Sequence, residues 1–78
     1  METIATTLDL RGLKCPLPAL RTAKTLRNMP AGALLVVECT DPMAAIDVLH
    51  CAIENGATLE SRSAEGGILT FRIRRGAR

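Results

Sequence analysis

Among 78 residues there is no tryptophan, no tyrosine and a single phenylalanine, Phe71. Binders of single-stranded nucleic acid stack bases on aromatic rings, so the composition argues against that class. The formal net charge of +2 adds little phosphate-neutralising attraction, and no strong direct nucleic-acid binding is expected. Cysteine is scarce as well. Cys15, Cys39 and Cys51 are odd in number and separated by 24 and 12 positions, which forms neither a disulfide framework nor the close cysteine pair of a zinc site; no metal is expected. Long apolar runs are missing. The longest stretch without a charged residue, Asn28 to Val37, is about half of the ~20 residues that span a bilayer. The chain begins Met-Glu-Thr and meets its first cation at Arg11, which is not the pattern of a secretory leader. A cytoplasmic location is expected.

What is present is a chain that can fold. It is 47% hydrophobic and 23% charged, too apolar for intrinsic disorder, and a single domain over residues 1–78 is expected at this length. The cationic excess lies in the first half, where Arg11, Lys14, Arg21, Lys24 and Arg27 face only Glu2, Asp9 and Glu38. Such a field attracts an acidic partner.

Hydrophobic periodicity orders the elements. Thr3 to Leu10 alternates, with Ile4, Thr6, Leu8 and Leu10 on one side, as a half-buried strand does. A helix is expected from Cys15 or its neighbour, because proline is tolerated in a first helical turn and Pro16 stands there. It runs to about Asn28, where Met29-Pro30-Ala31-Gly32 ends it. Ala33 to Cys39 is a short apolar run suited to an interior strand. Asp41-Pro42 is a second helix start, with Asp41 as N-cap, and Asn55-Gly56 is its stop. Ala57 to Ser63 and Ile68 to Arg74 flank Ala64-Glu65-Gly66-Gly67 as a hairpin, with Leu69, Phe71 and Ile73 inward. The order βαβαββ with right-handed crossovers gives an α+β, two-layer sandwich: a four-stranded mixed sheet with both helices on one face.

The chemistry concentrates in Arg11-Gly12-Leu13-Lys14-Cys15-Pro16-Leu17-Pro18. A cysteine where a strand exit meets a helix start is favoured as thiolate by the first-turn N–H groups and the helix dipole. Arg11 and Lys14 add to this if their side chains point at the sulfur. Pro16 and Pro18 restrict the backbone around it. The same residues also fit a small apolar cysteine filling space at a helix start. His50 is expected on a helix flank without a catalytic role.

On a helical wheel Ala19, Thr22, Ala23, Leu26 and Met29 form the core face of the first helix. Leu17, Leu20, Arg21, Lys24 and Arg27 lie opposite. The outer set reads equally as a docking lip or as a solvated face with ordinary exposed leucines. In the second helix the wheel buries Ala45, Ile46, Leu49, Ala52 and Ile53 and leaves Cys51 outside the core face with Met43 and Ala44, so Cys51 is expected to be reachable. Cys39 is expected as core filling.

The segment around Cys15 resembles the signature of the TusA-like (SirA/YedF-type) sulfur carriers, a Cys-Pro-x-Pro motif preceded by Gly-Leu. The resemblance extends over nearly the whole chain, through Asn28–Gly32, Asp41-Pro42, Asp47, Gly66-Gly67 and Phe71-x-Ile73-x-Arg75. It implies a fold like the C-terminal domain of a translation initiation factor and one TusA-like domain over residues 1–78. It also implies a sulfurtransferase-type role in which Cys15 carries sulfane sulfur as a persulfide. The donor implied is a cysteine desulfurase or a rhodanese and the acceptor a downstream relay protein, serving tRNA thiolation, cofactor assembly or sulfur oxidation. No cofactor beyond the transient persulfide is implied. Arg11, Gly12, Lys14, Pro16 and Pro18 support the motif, and Leu17, Leu20, Arg21, Lys24, Arg27 and Asp41 become the partner-docking residues. A non-catalytic binding module and a thiol redox sensor pairing Cys15 with Cys39 or Cys51 are the alternatives.

Overall fold

A computed structural model describes residues 5–14 and 17–76. The elements are β1 Ala5–Leu10, α1 Leu17–Arg27, β2 Leu34–Cys39, α2 Pro42–Glu54, β3 Thr58–Glu65 and β4 Ile68–Arg74. The predicted start of the first strand at Thr3 and Ile4, and of the first helix at Cys15 and Pro16, lies outside the described residues.

The four strands form one sheet in the order β1-β2-β4-β3. β1 and β2 are parallel, from Ala5 opposite Leu34 to Leu10 opposite Cys39. β4 runs antiparallel to both β2 and β3. The crossover helices cover one face, giving the expected α+β two-layer sandwich. β2 is interior, and its Leu35, Val37 and Cys39 are fully buried with Leu10 and Ile73, beside the buried Phe71. Leu26 of α1 and Val48 and Ala52 of α2 close this core from above.

Local chemistry explains the boundaries. The Asp41 carboxylate accepts from the Met43 N–H at 3.1 Å and Pro42 opens α2, the expected cap. Asn55 ends the helix, and Gly56 supplies the positive φ of the chain reversal. Thr22, fully buried in α1, donates its hydroxyl to the Pro18 carbonyl at 2.8 Å, so its burial leaves no unmet polar group. Arg75 was not foreseen in any structural role. Its guanidinium donates to the Leu26 carbonyl at 2.9 Å and to the Asn55 carbonyl at 3.4 Å, placing one cation at the C-terminal ends of both helices.

Two expectations fail. The hairpin loop is Gly66-Gly67 alone, because Ala64 and Glu65 still pair with Leu69 and Ile68. Both glycines have positive φ, as a two-residue turn matching the strand twist requires. The second failure is the bearing of α2. Its buried residues are Ala44, Val48, Cys51 and Ala52, whereas Ile46 and Ile53 are 54% and 69% exposed. α2 carries one polar stripe, Asp47, His50 and Glu54, and is apolar on its other sides, so hydrophobicity alone did not choose which apolar residues are buried. The small side chain of Cys51 turns toward α1, its Sγ within hydrogen-bond distance of the Ala19 carbonyl, where a bulkier residue would hold the helices apart.

Candidate functional site

The segment entering the signature is held at the carboxyl ends of the parallel strands. Leu10 accepts from the Leu13 N–H at 3.1 Å, closing a turn in which Gly12 takes φ +83°, the conformation that a type II turn demands of its third residue. The Gly12 N–H donates to Thr40 Oγ1 at 3.0 Å, tying this loop to the one between β2 and α2. Leu13 packs against the core, Lys14 is exposed, and the Leu17 N–H donates to the Lys14 carbonyl at 3.0 Å. Cys15 and Pro16 lie outside the described residues. The described approach, Leu10 to Lys14, lies at the outlet of the parallel strands beside the loop that leads into α2.

Arg11 is engaged elsewhere. Its guanidinium grips Asp9 with Nε to Oδ1 at 2.9 Å and a second bond to Oδ2 at 3.0 Å. Hydrogen bonding from the Arg11 side chain, and then from its backbone N–H, holds the Asp9 carboxyl down at about 2. This pair is legible in principle, since Asp9 and Arg11 straddle the strand end, but the expectation for Arg11 was a share in the cationic field and in stabilising the sulfur, not a partner in Asp9. Thr40 carried no sequence signal. Pro18, expected only to restrict the backbone, is also fully buried.

On the α1 side Leu17 and Leu20 are 49% and 61% exposed, and with Leu8, Arg21, Lys24 and Thr25 they line an open groove between α1 and β1. Lys14, Arg21, Lys24 and Arg27 form no ion pair among the described residues. Four of the expected docking residues therefore share one surface. Arg27 is exposed but outside that groove, and Asp41 sits at the start of α2.

The other cysteines are withdrawn from solvent. Cys39 is fully buried, as expected, and burial, reinforced by the Asp41 charge, pushes its thiol up. Cys51 corrects the sequence reading. It is only 9% exposed, and its Sγ donates to the Ala19 carbonyl at 3.3 Å. Burial, and then the Glu54 charge, raises its thiol against the opposing pull of Arg27 and Asn55. His50 is exposed on the flank of α2, next in sequence to the buried Cys51.

Comparison with known proteins gives this arrangement a family. The family model of sulfurtransferase TusA matches residues 6–75. The chain belongs to the TusA family. It is 43% identical to the sulfur carrier protein TusA of Allochromatium vinosum over 68 residues, covering 87% of this chain and 90% of the relative. It is 38% identical over 69 residues to the putative sulfur carrier protein YrkI of Bacillus subtilis, covering 88% and 92%. A solved structure of a SirA-like protein from Desulfitobacterium hafniense superposes with a TM-score of 0.79 at 23% identity, covering 91% of this chain and 97% of that one; this likeness establishes the fold. Among the described residues no helix is long and apolar enough to cross a membrane.

Proposed function

We propose that this TusA-family chain is a sulfur carrier whose Cys15 accepts sulfane sulfur as a persulfide and passes it to an acceptor protein. The observation that carries the reading is the burial of the two cysteines outside the signature. Cys39 and Cys51 are buried, and burial pushes both thiols up; exchange chemistry needs a reachable thiolate, which favours the cysteine of the signature for that role. In loading, the Cys15 thiolate attacks the outer sulfur of a donor persulfide. A new S–S bond forms, the donor's own S–S bond breaks, and the donor cysteine leaves as thiolate. In discharge an acceptor thiolate attacks the outer sulfur and Cys15 departs. No net oxidant is consumed, and no further cofactor enters either step.

A cysteine desulfurase or a rhodanese supplies such a donor, and the cationic, leucine-bearing groove of α1 suits an acidic partner with apolar contacts. Arg11, already neutralised by Asp9, serves as a brace for the loop; Lys14, Arg21 and Lys24 remain as the attracting charges.

The test is mass spectrometry after incubation with a cysteine desulfurase and cysteine. Wild type gains one sulfur, reversibly with reductant; Cys15→Ser gains none; Cys39→Ala and Cys51→Ala still load. Equal labelling of Cys15→Ser overturns the assignment. Lys24→Glu combined with Leu20→Ser slows loading by a protein donor and leaves loading by a small-molecule persulfide unchanged.

A further inference from the structure

A second surface flanks the signature on the side away from α1. β4 and β3 meet at the Gly66-Gly67 turn, and the register from Leu10 to Cys39 to Leu69 puts that turn at the same end of the sheet as the signature loop. There the helical layer stops short of the sheet edge. Ile46 and Leu49 of α2 face Arg62, Ala64, Leu69 and Phe71 across a groove of about 370 Å³. Its lining is apolar except for Ser63 and one cation, Arg62, which sits opposite Phe71 in the β3–β4 register and forms no ion pair among the described residues.

The groove reaches a free strand edge. β3 is terminal in the sheet, so alternate backbone groups on its outer side have no neighbouring strand to bond. The irregularity between Leu59 and Ser61 disturbs only the first part of β3; from Ser61 to Glu65 the pairing is regular. An extended segment added there would place every second side chain over the groove.

We infer that this edge and groove bind an extended protein segment whose inward side chains are apolar, acidic and apolar in turn, the acidic one meeting Arg62. The free backbone edge selects a peptide over an anionic lipid, which has no ladder to offer. The unpaired cation in an apolar surround selects an acidic side chain over a basic one. The role of this surface as a docking site beside a persulfide rests on the carrier reading, but the binding itself does not. With the groove toward the β3 edge and the α1 surface toward the β1 edge, two partners can be recognised by separate faces.

The probe is the acetylated, amidated peptide Thr-Val-Thr-Glu-Thr-Val-Thr, titrated into the labelled full chain and followed by amide chemical shifts. Saturable binding is expected, with shifts concentrated at Ile46, Leu49, Arg62 to Glu65 and Leu69. Replacing the peptide's glutamate by lysine, or making Arg62→Glu, weakens it by at least about tenfold, and combining the two changes restores it. N-methylation of the edge-facing amides abolishes it.

Absence of saturable binding, equal affinity for both peptides, shifts confined to α1, or occupation by decanoate alone would each overturn the inference. So would self-association that covers the same residues in place of peptide. Persulfide loading of Cys15 is measured in parallel. Lost peptide binding with normal loading removes only the groove; failed loading with intact peptide binding removes only the carrier reading.

Discussion

The two helices share one face of the sheet and divide their surfaces by different means. α1 buries Pro18, Thr22 and Leu26 and turns Arg21, Lys24 and Arg27 to solvent, so charge separates inside from outside. α2 buries alanine, valine and cysteine and leaves Met43, Ile46 and Ile53 exposed. Its inner face is chosen by size. An interhelical seam needs small residues for close approach, and the large apolar residues displaced from it become surface. The difference teaches that apolar exposure on α2 follows from how it packs, and that the same packing creates a patch available for contact.

The sharpest way to break this contrast is truncation on both helices. Leu26→Ala, at a fully buried position, is expected to cost ~2–5 kcal/mol in urea unfolding. Ile53→Ala is expected to change stability by less than ~0.5 kcal/mol despite removing an equally large apolar side chain. Equal costs would mean that Ile53 belongs to the core. The seam itself is probed by enlarging it. Cys51→Leu adds volume against Ala19 and is expected to destabilise by ~1–3 kcal/mol, with the shift appearing in α1 amides as well as α2. A neutral or stabilising result would show that the helices are not closely apposed there.

The smallest effect is a pH dependence. Both buried thiols have folded pKa values raised above the ordinary cysteine value, chiefly by burial. The neutral form is favoured in the folded state, so this contribution is fully present below the unfolded value of about 8.5 and is lost as pH rises through the folded values. The urea midpoint is expected to decline as pH rises above about 8.5, and Cys51→Ala to flatten that decline. An unchanged slope in both Cys39→Ala and Cys51→Ala would sever the link to the thiols.

Most of the fold was readable along the chain. The alternation of β1, the apolar run of β2, the Asp41-Pro42 start and the Asn55-Gly56 stop are short-range signals, each set by the backbone preferences of a few neighbouring residues. The outer face of α1 was readable for the same reason, because its cations and its small residues segregate at helical spacing. The bearing of α2 was not: its polar stripe, Asp47, His50 and Glu54, marks one outer side, but more large apolar residues remain than the core takes in, and packing against α1 rotates the buried face away from the one opposite that stripe. Cys51 was misplaced with it. The Asp9 grip on Arg11, the tether from Gly12 to Thr40 and the double cap by Arg75 join positions whose encounter depends on the finished sheet.

The amino-acid order by itself determined the elements, their sequence βαβαββ and the family. Only the tertiary structure decided which cysteines are withdrawn from solvent, which side of α2 faces α1, and that a cation stands beside an open strand edge. Local preference acts between neighbours along the backbone; accessibility and facing are settled when distant segments compete for the same space.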